Sequence, residues 1–508
     1  MKRIIYFALG ILTCCWGCTD KFESYNTNPN TTSNATSSLL ATDLILSTMD
    51  DVYGLAMQKR NRLHLYDDML SKYITYKESV GYSYNLLGRA SYTDLYMEKL
   101  NNVGKMVGYA KEGGMRNSYE GVGHVLRALK FFDLTMRVGD IPYSEAMQGE
   151  SGIQFPAYDT QKEVILGLLD ELEKADALLA EGAAFAGDPV YDGDPQKWRK
   201  AANSLAFKIL INLYNKTSDS DLNVKGRMQA LLGKPIFTSN DDNLQLKHSS
   251  DKTQWYPFYE DGNNYIDFVF LSSTLVDSLK AYGDRRLFYY AEPAVNKASK
   301  PAEWDSYQGI DPVIPFASVQ DQMISGDYSM LNKRYYKDPK GEPTYVLSYS
   351  ELNFILAEAA VRGLISGNAK SYYDKGVRAA MEFVSENTAE TYNHGMALDD
   401  AYITSYLSGV RGAFPTSSQA QIKQIIVQKY LSEFLQAPFN AWYEYRRTGY
   451  PELEINPSTN ENIPSTKMPV RWMYPDDEYT YNSENVKAAV DRQFGGNDDN
   501  NQVMWILQ

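Results

Sequence analysis

Three cysteines stand at positions 14, 15 and 18, and none follows in a chain of 508 residues. Lys2 and Arg3 precede an apolar run from Ile4 to Leu12, and Gly17 stands just before Cys18. A basic start, a short apolar core and small residues at its end make a secretory signal peptide. The core is far short of the ~20 residues that span a bilayer. Exported chains use cysteine mostly in disulfides, but here the body offers no thiol to pair with. The chemistry left for these cysteines is attachment of lipid. We expect residues 1–17 to be a lipoprotein signal and Cys18 the modified terminus, with Cys15 as the alternative. Each buried acyl methylene contributes roughly 0.8 kcal/mol, so two or three chains anchor firmly.

Other reactive types are sparse or scattered. His64, His124, His248 and His394 are far apart, and with no cysteine beyond Cys18 a His/Cys zinc site is not expected. Asp188, Asp192 and Asp194 cluster beside Gly187, Pro189 and Gly193. Such oxygens would suit calcium, but the spacing does not fit a twelve-residue calcium loop. A turn followed by a helix cap is the expected role. The chain has no His-Glu-x-x-His, no Gly-x-Ser-x-Gly and no phosphate-binding Gly-Lys-Ser/Thr sequence. Catalysis has no positive sign, and no cofactor is implied.

Aromatic side chains are the abundant resource: 40 Tyr and 7 Trp against 19 Phe. Tyrosine joins an apolar ring to a polar tip and suits half-wet recognition surfaces. Many collect where helical periodicity fails, over roughly 218–272 and 284–347, as in Trp255-Tyr256-Pro257-Phe258-Tyr259, Trp304 and Tyr307. Irregular stretches of this length are functional or disordered, and their aromatic content argues against disorder.

The elements that must carry these loops read as helices. After a polar tether over 18–36, apolar stripes recur at helical spacing. Val122, Val125, Leu129, Phe132 and Met136 make one, ended by Gly139 and Pro142. Capping boxes open at Thr160-Gln161-Lys162-Glu163 and Ser348-Tyr349-Ser350-Glu351, and Asp194-Pro195 starts another helix. Ala359, Gly363, Gly376 and Ala380 should let two helices pack closely as an antiparallel pair. Residues 419–437 make a further helix, interrupted at Pro438; a second piece closes at Arg446-Arg447-Thr448-Gly449. The class is therefore mainly α, built from helical hairpins over 37–508. The formal net charge of -14 repels nucleic acid and anionic lipid, so neither is an electrostatic partner.

Several segments in this order resemble the SusD/RagB family of outer-membrane lipoproteins, in its SusD-like branch. They include Phe22-Glu23 with Tyr25-Asn26-Thr27-Asn28-Pro29-Asn30, Gly139-Asp140-Ile141-Pro142-Tyr143 and Gly283-Asp284-Arg285-Arg286. Glu358-Ala359-Ala360, Arg446-Arg447-Thr448-Gly449-Tyr450-Pro451 and Arg471-Trp472-Met473-Tyr474-Pro475 follow. The resemblance implies a body of tetratricopeptide-like helical hairpins with long loops on its ligand face. It also implies a partner, a SusC-like TonB-dependent outer-membrane transporter, to which captured oligosaccharide is delivered. Stacking a sugar ring on Tyr or Trp buries roughly 50–100 Å², about 1–3 kcal/mol. The expected ligand residues are the aromatics outside the helical stripes: Tyr82, Tyr84, Trp255, Tyr256, Tyr259, Trp304 and Tyr307. Peptide capture by the same machinery is the alternative, and would favour a deep lined groove. A surface glycoside hydrolase is the third reading, and would release product where a binder returns its ligand intact.

Overall fold

The computed structural model describes residues 35–53, 63–77, 80–91, 98–259, 268–409 and 412–508. The three cysteines, the leader and most of the tether lie outside these residues, as do Leu55, Tyr96 and Tyr265 and the side chain of His64. Among the described residues, nine of the helices carry the architecture. They are α1 (Ser37–Tyr53), α2 (Gly114–Val138), α3 (Gln161–Ala180), α4 (Pro195–Ile211), α5 (Tyr349–Val361), α6 (Ala369–Glu386), α7 (Ser418–Ser432), α8 (Pro438–Thr448) and α9 (Ser483–Phe494).

Local chemistry sets their ends. α2 stops at Gly139, whose φ of 99° is open chiefly to glycine. α3 opens on the complete Thr160/Glu163 capping box. Asp194 caps α4 with Pro195 in its first turn. At α5 only half of the expected box forms. Ser348 accepts from the Glu351 amide, but the Glu351 carboxylate lies 3.0 Å from Lys208 and 3.2 Å from Lys429. Two buried cations outweigh the Ser348 amide.

The helices pair as antiparallel hairpins. Across α2 and α3, a Cβ on Gly121 would meet Leu179, His124 and Arg127 reach Glu171, and Gln161 donates to the Thr135 carbonyl at 2.8 Å. Across α3 and α4, Asp176 takes Arg199 and Asn203. Across α5 and α6, Ser350 donates to the Gly376 carbonyl, and a Cβ on Gly376 would lie 2.8 Å from the Phe354 ring. The close approach expected from small residues is thus used.

One buried cluster fills the space among α1–α4 with aliphatic side chains such as Val125, Leu168 and Ile209. A second is rich in tyrosine, including Tyr73, Tyr290, Tyr345 and Tyr430. Much of the tyrosine excess is therefore interior. Three of these hydroxyls have a definite task at the C-terminal end of α7, where the last four carbonyls of a helix lack partners. Tyr73 donates to the Tyr430 carbonyl (2.7 Å), Tyr290 to Leu431 (3.0 Å) and Tyr345 to Ser432 (2.8 Å). Ser432 Oγ takes the fourth, Lys429.

The two stretches read as irregular contain more order than their sequence pattern shows. They hold the short helices Val224–Leu231 and Phe316–Ser325 and three strands. With β1 (Ile74–Tyr76), the strands β2 (Leu244–Leu246), β3 (Val269–Leu271) and β4 (Thr344–Leu347) make two antiparallel pairs, β1 with β3 and β2 with β4. Elements this short carry too few residues for a period to appear.

The aspartate cluster has the structural role expected of it. Asp188 accepts from the amides of Val190, Tyr191 and Gly193 and from the Trp198 indole at 2.7 Å. The described histidines are likewise engaged: His124 with Glu171, His248 with Thr344, and His394 with Asn332.

Candidate functional site

The β1–β3 pair is the frame for the aromatic loops. Ile74 sits opposite Leu271 and Tyr76 opposite Val269. Because the strands are antiparallel, the segment leaving β1 and the segment entering β3 emerge at the same end. The segment that leads on to Tyr82 and Tyr84 therefore leaves the pair at the end where Phe268 enters it. Lys77 extends the pairing by donating its amide to the Phe268 carbonyl, and its ammonium lies 5.0 Å from the Phe268 ring. On the other side of β3, Phe270 bridges to Met330 and Ser272 to Ile310. The Trp304 segment is therefore stitched to the same strand.

Within each loop, side chains divide between anchors and presented rings. Tyr256 is 1% exposed and packs against His248, Phe258 and Tyr335. Gly341, at φ +46°, lies against its ring, where an added Cβ would come within 2.3 Å. Trp255 and Tyr259 flank this anchor and are half-buried. Their rings meet edge-on at 4.9 Å; the Trp255 indole donates to the Ser250 carbonyl, and Lys252 lies 5.8 Å from its ring. Trp304 is half-buried, edge-on to Phe288 at 4.8 Å. Tyr307 is fully buried on the same Phe288, with its hydroxyl on the Pro301 carbonyl.

The early loop repeats this division. Tyr84 is 7% exposed and donates to the Ile314 carbonyl at 2.6 Å. Burial, with Glu461 and Asp311 nearby, pushes its phenol up to about 12. Tyr82 is half-buried. Of the seven expected ligand aromatics, Tyr84, Tyr256 and Tyr307 are thus interior. Tyr82, Trp255, Tyr259 and Trp304 retain accessible surface.

Two supports escaped the sequence reading. Lys72 is fully buried, and its ammonium bonds to the Ser83 carbonyl and to Asn85 Oδ1. The second is the segment 456–467. Asn456 and Thr459 both donate to the Val313 carbonyl, Asn460 accepts from Asn85, and the Glu461 amide donates to Tyr84 O. Its Asn content and the flanking Pro457 and Pro464 are the turn chemistry that could have marked it.

A family described as starch-binding and associating with the outer membrane, SusD-like, matches residues 29–475. The chain belongs to the SusD-like family. A SusD homologue from Bacteroides fragilis NCTC 9343 is 42% identical, with a TM-score of 0.87 over 93% of this chain and 100% of that one. An outer-membrane protein of Bacteroides vulgatus ATCC 8482 with a suggested nutrient-binding role is 33% identical, at TM-score 0.82 over 93% and 100%. A chitin-binding protein is 25% identical, at TM-score 0.72 over 93% and 99%. No match was found among curated proteins. The mainly helical fold described above is that of SusD homologues, and SusD-like proteins are binding proteins rather than enzymes.

Proposed function

We propose that this protein captures oligosaccharides at the outer membrane and delivers them to a SusC-like TonB-dependent transporter. Trp255, Tyr259 and Trp304, with Tyr82, are the rings that take sugar. A lipid on Cys18 holds the body at the membrane, and the polar tether gives it reach. The observation that carries the reading is the anchored aromatic pair. Trp255 and Tyr259 are held at a surface by a buried Tyr256 between them, so little side-chain entropy is lost when a sugar stacks. The membrane association of the matched family and the chitin-binding relative support a glycan as ligand. Modest affinity fits the role, because a ligand that is passed onward must also leave.

Calorimetry of the purified protein against a panel of neutral oligosaccharides tests it. One ring contact is worth about 1–3 kcal/mol, so Trp255→Ala should weaken the best ligand roughly tenfold without lowering the unfolding temperature. Unchanged affinity in both Trp255→Ala and Trp304→Ala would remove these loops from the site. Radiolabelled palmitate should enter the unaltered chain and not Cys18→Ser.

A further inference from the structure

A cavity of 710 Å³, lined by none of the aromatic candidates, opens where the ends of α5 and α8 meet the first turn of α7. Its wall includes Arg362, Arg447, Lys225, Tyr214, Tyr450 and Ser418. No carboxylate lines it among the described residues, although the chain carries a net charge of -14. The volume falls within the roughly 300–1,000 Å³ of small-ligand sites.

The cations are built into place. Arg447 is 4% exposed, and its terminal nitrogens bond Glu358 at 2.6 and 2.5 Å and also Glu444. Its Nε is buried without a hydrogen-bond partner. Arg362 shares Glu358 at 2.7 Å and lies 3.7 Å over the Tyr214 ring. Glu444 also pairs with Lys429 behind the wall. Lys225 is exposed and makes no ion pair among the described residues. Glu358 is shared by Arg362 and Arg447, and Glu444 by Arg447 and Lys429, so with Lys225 counted the wall keeps positive charge. The opening turn of α7 adds to it through its dipole, with Ser417 already accepting the Ala420 amide. Beside the cations stand two tyrosine rings and the hydroxyls of Thr217, Thr448 and Ser418. An inorganic anion would use the charges and leave the rings idle.

We propose that this cavity binds an acidic sugar unit, a uronate whose carboxylate faces Arg362 and Lys225 while its ring lies against tyrosine. The site is separate from the aromatic loops and gives the protein a second, charge-selective subsite.

The test titrates the purified protein with sodium glucuronate, glucose and sodium sulfate at low ionic strength. Glucuronate should saturate at least tenfold more tightly than glucose and more tightly than sulfate. Raising salt to about 0.3 M should weaken it severalfold. A charge-assisted hydrogen bond is worth about 1.5–3 kcal/mol, so Arg362→Gln should cost tenfold or more. Lys225→Gln, at an exposed position that does not endanger folding, should cost about threefold, since a solvated cation contributes less. Lys300→Gln, a surface charge elsewhere, should change nothing. Equal binding of glucuronate and glucose, sulfate binding as tightly as glucuronate, or a folded Lys225→Gln that titrates like the unaltered protein would each overturn the proposal. Neutral oligosaccharides report on the aromatic loops independently, so the two sites fail separately.

Discussion

Tyr256 shows what a loop aromatic does when it faces inward. Its ring is enclosed, yet its hydroxyl is buried without a hydrogen-bond partner. A stranded polar group costs about 1–3 kcal/mol, so Tyr256→Phe should leave the protein as stable or more stable by about 1 kcal/mol. Tyr256→Ala should instead cost about 3–5 kcal/mol through the cavity it leaves. Urea unfolding of both variants checks the pair, and loss of stability in Tyr256→Phe would mean the hydroxyl is engaged. Lys72 makes a different case. Burial alone lowers its ammonium from the ordinary 10.5 to about 7, and its partners are a carbonyl and an amide, not a carboxylate. Between about 7 and 10.5 the unfolded chain therefore holds a proton that the folded chain does not. The Lys72 contribution to stability rises with pH across that window and is flat below it. Lys72→Met should remove this upward slope in unfolding free energies measured near neutral pH and at about pH 9. An unchanged slope would mean that the ammonium stays charged.

Helix starts were the most readable elements, because their chemistry is local. Thr160, Asp194 and Ser348 each sit at the start that their sequence marks. The end of α7 was not readable in this way. Its last four carbonyls are met by Ser432 and the Glu433 amide from nearby and by Tyr73, Tyr290 and Tyr345 from distant segments. No spacing in the chain announces such a cap. It also explains why tyrosine outnumbers phenylalanine in the interior: the hydroxyl is required there, not only the ring. Removing one donor leaves a buried carbonyl short, so Tyr345→Phe should cost about 1–3 kcal/mol, in contrast to Tyr256→Phe. Slowed amide exchange across the last turn of α7 should fall in this variant while α2 and α3 keep their protection. Equal stability of Tyr345→Phe and the parent would show that solvent replaces the phenol.

At the scale of the molecule, the periodic part of the sequence carried the fold, and the aperiodic part holds the proposed site. The positions of Trp255, Tyr259 and Trp304 could be picked out by type. Which neighbour turns inward could not, because a loop has no period from which to read a face. The same holds for charge. Arg446 and Arg447 look like cations placed at a helix end, yet Arg446 donates to the carbonyls of Met136 and Val470, and Arg447 pairs with Glu358 and Glu444. Arg447 joins a buried ionic layer that ties α4, α5, α7 and α8 together. At its centre Lys429, 4% exposed, faces Glu351 at 3.2 Å, Glu444 at 2.9 Å and Glu433 at 3.9 Å. Burial raises the Glu433 carboxyl, whereas Arg447 and Lys429 hold Glu444 down to about 2. Removing the lysine strands Glu351 and Glu444 with fewer counter-charges inside the protein. Breaking a buried pair from one side costs about 3–5 kcal/mol, so Lys429→Met should be among the most damaging single changes in the body. Adding Glu433→Gln should recover only part of this, since that carboxyl is the one already inclined to hold its proton. A double-mutant cycle by chemical denaturation measures the recovery. Full rescue would place the lysine's main partner at Glu433, and none would place it wholly with Glu351 and Glu444.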